Sequence, residues 1–140
     1  MTENYKIIGS FIKDMSSETP DASTYISVRD KISKYKLNID INSKAVKNGI
    51  IEVNTIIRFS DQPEILKKAH FEITYTSIVK VDEKVSDKKE MEKIILCDVP
   101  NKIYPDLERI FLSLLTDSGY PGIKFEKKID FTELYKQRAN

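Results

Sequence analysis

Few residues in this chain could do covalent chemistry, and their spacing does not assemble a centre. His70 is the single histidine, in an alternating run with no second histidine or cysteine near it. Zinc takes three or four such ligands, so no metal site is expected and His70 reads as a surface or packing residue. Cys97 is the single cysteine, so no internal disulfide is possible. Its neighbour Asp98 has the wrong sign to lower a thiol pKa, and an inert, buried thiol is expected. Asp14 and Glu18 stand four apart and would share a face of a helix as paired carboxylates. Glycosidic or phosphoryl chemistry would need further partners at defined distance. Gly49 and Gly119 are isolated and make no phosphate loop. Phe71 and Tyr75 alternate among aliphatics, as in a core or an apolar groove, not among lysines as on an RNA-stacking sheet. No nucleophile, base and orienting third group come together, so neither an enzyme nor a bound cofactor is expected.

The elements that would position these residues can be read from periodicity. The stretch YPDLERIFLSLLTDSGYP, Tyr104 to Pro121, carries Leu107, Ile110, Phe111, Leu114 and Leu115 at three- and four-residue spacing. That is an amphipathic helix, expected to start at Pro105, to end at Gly119 and to cover a sheet. Four runs read as strands. Tyr5 to Ile12 is interrupted by Gly9, which suggests a bulge or a close backbone approach. Tyr35 to Asn42 alternates strictly, with Asn48-Gly49 as the centre of the next turn. Ile51 to Phe59 and His70 to Val81 alternate likewise, separated by a proline-bearing break from Ser60 to Glu64. Lys13 to Asp30 reads as irregular chain, with at most a turn of helix near Asp14. A short helix is expected from Ser86 to Cys97, with Asp87 and Glu90 as a capping box, and a turn at Val99-Pro100-Asn101. Ile123 to Glu126 reads as a brief extended piece, and Asp130 with Glu133 caps a last helix from Phe131 to Arg138.

Bulk properties bound the rest. The chain has 140 residues, 40% hydrophobic and 32% charged, and suits one domain over 1–140. A net charge of +1 gives no basic excess for nucleic acid. No run of eighteen apolar residues argues for stable membrane insertion. The opening MTENYKIIGS has no cationic start or cleavage site, so a reducing cytoplasm is expected. Ile56 and Ile78 lie opposite the main apolar rows, so both strand faces carry aliphatics. Apolar surface left exposed in that way points to an oligomer or to a binder of apolar segments.

Five stretches then carry a resemblance that spans nearly the whole chain in order: FIKDMSSETPDA, YKLNIDI with IIEVNTIIRF, HFEITYTSIVKV, and PNKIYPDLERIFLSLLTDSGYPGIKFEKKIDFTELY. The chain resembles the SecB family of protein-export chaperones. The resemblance implies an α+β fold, a four-stranded antiparallel sheet with helices packed on one side. It implies a homotetramer, a dimer of dimers, in which the Leu107–Leu115 helix helps to build the assembly. It implies an ATP-independent holdase that binds unfolded precursor proteins in apolar grooves and delivers them to the SecA motor. By position, Asp14, Glu18 and Glu72 match the family's acidic SecA-docking residues, and His70 stands where a family member has leucine. Candidate groove residues are Phe59, Tyr75, Ile78 and Val79 from the strands, with Met91, Ile94 and Ile95 from the short helix. Family members are often acidic, whereas this chain is near neutral. Two other readings stay open: a relative that guards the antitoxin of a toxin–antitoxin pair, and a non-chaperone oligomeric scaffold or small-ligand binder of the same fold.

Overall fold

The computed structural model describes residues 4–60, 68–125 and 129–139. Strand β1 runs Tyr5–Glu18, helix α1 Ala22–Lys31, β2 Lys36–Lys47, β3 Ile50–Ser60 and β4 His70–Val81. Helix α2, Lys88–Lys93, leads through a π-helical turn at Ile94–Asp98 into α3, Val99–Asp117, and α4 spans Phe131–Ala139. The four strands form one antiparallel sheet in the order β1-β4-β3-β2. The expected α+β architecture holds. The expected break at Ser60 to Glu64 lies mostly outside the described residues.

The apolar rows of the two central strands face the helices. Ile57, Phe59, Phe71 and Ile73 are buried with Ile103, Leu107, Phe111 and Leu115 of α3. A second cluster joins Tyr5, Val53, Val79 and Val81 to Ile94 and Val99. Aromatic rings lock the first cluster: Phe59 meets Phe111 and Phe125 edge-on, and Phe71 meets Tyr120. Such pairs add to simple burial.

Three local readings are corrected. First, β1 does not stop at Ile12 but pairs with β4 as far as Glu18↔His70. The polar run Lys13 to Glu18 has no strand pattern of its own; the backbone of a central strand imposes one. The expected bulge at Gly9 is present as a register shift between Ile7 and Gly9, and a second shift falls between Ile12 and Asp14. Second, Ala22–Lys31 is a helix rather than irregular chain. Asp21 caps it, accepting from the Thr24 N–H at 2.7 Å, and Thr24, Val28 and Ile32 are buried at four-residue spacing. Third, Val99-Pro100-Asn101 is no turn, and the organising helix begins at Val99 rather than at Pro105, which lies inside it. A proline ring clashes with the carbonyl four residues back. The wide turn at Ile94–Asp98, closed by the Val99 N–H on the Ile94 carbonyl, relieves that clash for Pro100 and lets the helix run on.

Elsewhere the sequence expectations need smaller changes. The hairpin turn is at Asn48-Gly49, but β2 extends to Lys47 with a shift between Ala45 and Lys47. Asp87 caps α2 by accepting from the Lys89 N–H, while the Glu90 carboxylate accepts from Asn4 instead of closing a box. Asp130 accepts from the Thr132 N–H at the start of α4.

Helix α3 ends as its glycine demands. The Tyr120 N–H bonds the Leu115 carbonyl and the Gly119 N–H the Thr116 carbonyl, with Gly119 at φ +104°. A Cβ there would sit 2.8 Å from Tyr25 Cε1, in a ring whose hydroxyl donates to the Gly119 carbonyl at 2.9 Å. Gly119→Ala is therefore expected to destabilise by about 2 kcal/mol or more. Gly122→Ala, at φ +82° with nothing within 4 Å, should lose only the backbone part, about 1 kcal/mol. Urea unfolding of the two variants checks this: equal losses would mean that the Tyr25 contact contributes nothing.

Candidate functional site

The sheet face away from the helices is open, and the register sorts its side chains into cross-strand rows. One row is Asn38, Arg58, Glu72 and Ser16; the next is Asp40, Ile56, Thr74 and Asp14. Glu18 lies beside His70 at the end of β1. Glu72 is thus opposite Ser16, midway between Asp14 and Glu18. Residues two or four apart share a face of a strand, so the paired carboxylates meet on a strand rather than on a helix. All three sequence-named acidic residues come together, and Asp40 of β2 joins them.

A cation sits among them. Arg58 Nε donates to Glu72 Oε1 at 2.7 Å, and its Nη1 donates to Asp40 Oδ2 at 2.9 Å. Those hydrogen bonds, Glu72 first, push the guanidinium pKa above its ordinary value. Asp14 and Glu18 form no ion pair with any described residue. Chemically, this end of the face is a shallow, exposed acidic cluster suited to a cationic segment. Among the described residues no group of three or more histidine, cysteine or carboxylate side chains is placed to hold a metal ion. His70 is exposed and Cys97 is buried against Asn101 and Thr132.

The centre of the open face holds a polar network that sequence reading missed. Thr76 Oγ1 donates to Asn54 Oδ1 at 2.6 Å, and Asn54 Nδ2 donates to Asn42 Oδ1 and Glu52 Oε2, each at 2.9 Å. Lys13, at the second bulge, reaches Glu52 at 3.0 Å. The Asn54 bond, then that of Lys13, holds the Glu52 carboxyl below its ordinary value. Asn54 and Thr76 are buried and satisfied, as buried polar groups must be.

The sequence-named groove residues do not line one surface. Phe59, Tyr75, Val79 and Ile94 are buried in the core. Met91 and Ile95 are half-buried beside the Val79 end of it. Ile78 lies on the open face, in the row of Glu52. Alternation assigns a residue to a face but not the cover that face receives. On α3, Leu107, Phe111 and Leu115 are buried against the sheet, while Ile110 and Leu114 are half-buried.

Two of the grooves on the helix side are lined in good part by apolar side chains. One, of about 390 Å³, runs beside β2 and is lined by Ile39, Ile41, Leu96, Phe131, Leu134 and Tyr135, among others. Its floor is apolar, Leu134 is exposed, and the outer edge of β2 pairs with no strand among the described residues. Ile39 and Ile41 were legible as an apolar strand face; the contribution of Leu96 and α4 was not. The other, of about 850 Å³, lies along α3 and is lined by Tyr104, Pro105, Glu108 and Leu112 together with Phe125 and Ile129. Burial, and then the negative charge of Glu108, keeps the Tyr104 phenol protonated well above its usual range. No helix among the described residues is long and apolar enough to cross a membrane.

Comparison with known proteins bears on this arrangement. A family model described as preprotein translocase subunit SecB matches residues 1–140. A Pelagibacter ubique (strain HTCC1062) protein that bears a protein-export SecB name is 96% identical over 140 residues, covering 100% of both chains. The protein-export protein SecB of Methylocella silvestris is 24% identical over 130 residues, 93% of this chain and 79% of that one. Among solved structures, a Mycobacterium tuberculosis SecB-like chaperone in complex with a peptide from an antitoxin superposes with TM-score 0.65. It is 11% identical and the match covers 89% of this chain and 91% of that chain. A Streptococcus agalactiae protein of unknown function gives TM-score 0.52 at 8% identity, covering 88% and 97%. At those identities the structural matches speak to the fold alone.

Proposed function

The chain belongs to the SecB family of protein-export chaperones, and from that premise we propose that it is a holdase. It binds unfolded precursor proteins without ATP and delivers them to SecA in the cytoplasm. The family is one of chaperones, not of enzymes. The observation that carries the holdase reading is the groove beside β2. An extended client segment can add its backbone to the outer edge of β2, which pairs with no described strand, while its apolar side chains enter the groove over Ile39, Ile41, Leu96 and Leu134. Main-chain pairing tolerates many sequences, which a carrier of varied precursors needs. Binding the unfolded chain then holds it back from folding by mass action. Of the residues first named for the groove, Met91, Ile95 and Ile78 keep exposed surface and are proposed as secondary contacts.

The acidic end of the open face, Asp14, Glu18 and Glu72, is proposed to meet a basic segment of SecA, with charge steering the encounter and setting its specificity. The proposed assembly is a homotetramer, a dimer of dimers. Its support is the apolar edge of β1, where Ile8, Phe11, Ile12 and Met15 stay exposed in a single chain. Native mass, measured with and without an excess of a slowly folding precursor, tests the whole. A four-chain species that takes up one unfolded polypeptide and ignores the folded form supports the reading. Leu134→Asp, at an exposed site, is expected to weaken that uptake about tenfold or more with the mass unchanged. A chain indifferent to unfolded precursor would sink the holdase reading. A relative in the antitoxin-bound structure keeps the antitoxin-chaperone alternative in view, and selective uptake of an antitoxin over export precursors would favour it.

A further inference from the structure

The acidic end of the open face carries its own cation, and its placement has a consequence for docking. Arg58 stands on β3 directly across from Glu72 on β4, and diagonally from Asp40 on β2. Its guanidinium takes an oxygen of each carboxylate, at 2.7 and 2.9 Å. Asp14 and Glu18, on the far side of Glu72, form no ion pair with a described residue. We propose that Arg58 is a built-in competitor for the cationic partner of this face: it holds Glu72 and Asp40 in the free protein and is displaced from them when a basic segment docks. This rests on the reading of the acidic end as a docking surface.

Three features support a displaceable clamp rather than a fixed brace. The Arg58 side chain is 45% exposed, and its partners Asp40 and Glu72 are 70% and 37% exposed. Exposed ion pairs of that kind are individually weak, so releasing them opposes docking only modestly. The carboxylates with no ion-pair partner among the described residues lie on β1, so an incoming lysine or arginine meets Asp14 and Glu18 first and competes for Glu72 second. Arg58 also cancels one of the four negative charges that draw the partner in. A segment with one cation gains only the β1 carboxylates. A segment with several cations gains all four once Arg58 has swung away. The clamp therefore selects for multiply charged partners.

The sign of one substitution decides the matter. If Arg58 competes, Arg58→Gln tightens the binding of a basic peptide by about three- to tenfold and steepens its salt dependence. If Arg58 instead holds Glu72 and Asp40 in their binding pose, the same substitution weakens binding. The probe is a fluorescently labelled oligolysine peptide, titrated by anisotropy against the full-length assembly at low and at physiological ionic strength. Arg58→Met serves as a second variant, and urea unfolding checks that each variant is folded. In an Asp40→Asn, Glu72→Gln background the gain from Arg58→Gln should shrink to the salt-screened part that comes from removing one positive charge, because no carboxylate is left to release. Unchanged or weaker binding by both Arg58 variants, with Asp14→Asn, Glu18→Gln still weakening it, overturns the competitor and leaves the docking face standing. If the Asp14 and Glu18 variant also binds the peptide as the parent does, the docking face itself is refuted and the competitor with it.

Discussion

Replacing Phe111 with alanine is expected to lower the free energy of unfolding by about 3–5 kcal/mol, the usual loss for a fully buried aromatic. Phe111 is 0% exposed and stands where α3 meets the sheet. Its ring is edge-on to Phe59, with centroids 6.1 Å apart, and stacked on Phe125 at 6.1 Å. Phe59 in turn touches Tyr35, Phe71 and Phe125, so a cavity at Phe111 removes a wall from several rings at once. Domains of this size are stable by roughly 5–15 kcal/mol, so the loss takes a large share of the total. Leu112→Ala, one residue on and only half-buried, should lose clearly less. Urea midpoints measured at equal protein concentration make the comparison fair, because association adds to apparent stability. A loss below about 1 kcal/mol for Phe111→Ala would mean that the groove beside it collapses to refill the site.

How much of this was legible in the sequence depended on whether an element carries its own pattern. Ile51 to Phe59 and His70 to Val81 alternate because each has one covered and one open face, so both strands were readable to within a residue or so. The second half of β1 carries no such pattern, and its strand conformation comes from pairing with β4. Helix α1 was hidden differently. Its buried residues, Thr24 and Val28, with Ile32 in the turn that follows, are few and include a threonine, so no wide apolar stripe announces it. Pro100 and Pro105 suggested a boundary and a start, and the wide turn before Val99 removes the reason for a boundary.

The acidic cluster shows the same limit more sharply. Asp14 and Glu18 could be named from resemblance, but their meeting with Glu72 depends on the register shift between Ile12 and Asp14. Ile12 pairs with Tyr75 on the helix-covered face. Without the extra residue, Asp14 would pair with Ile73 and both carboxylates of β1 would point to the core side, since a one-residue slip reverses every side chain. Lys13, the residue at the bulge, is the one that reaches Glu52, which anchors the bulge in place. Neither the clamp of Arg58 on Glu72 and Asp40 nor the groove over Leu96 and Leu134 could be read before strand order and helix placement were known.

Lysine at both Phe11 and Met15 is expected to break the proposed assembly while leaving the single chain folded. β1 is an edge strand of 14 residues, bonded to β4 on one side alone among the described residues. Phe11 is 47% and Met15 45% exposed, and Ile8 and Ile12 are comparably bare. Proteins normally blunt such an edge with charge, proline or cover, because an open apolar strand pairs with whatever reaches it. A second copy placed antiparallel about a two-fold axis would extend the sheet from four strands to eight and cover those side chains on both chains at once. Each covered side chain is half exposed to begin with, so the gain is on the order of 1 kcal/mol apiece, counted twice by symmetry. Two lysines per chain remove that gain and set ammonium groups close to one another across the axis. Association should weaken by at least about 100-fold, or ~3 kcal/mol. Since both side chains are already about half exposed in the single chain, its own stability should fall by no more than about 2 kcal/mol. Native mass over a dilution series reads the first effect, and far-ultraviolet circular dichroism with urea unfolding reads the second. A four-chain species that persists unchanged at every concentration would show that the β1 edge is not where the copies meet, and would move the interface to the half-buried Ile110 and Leu114 side of α3.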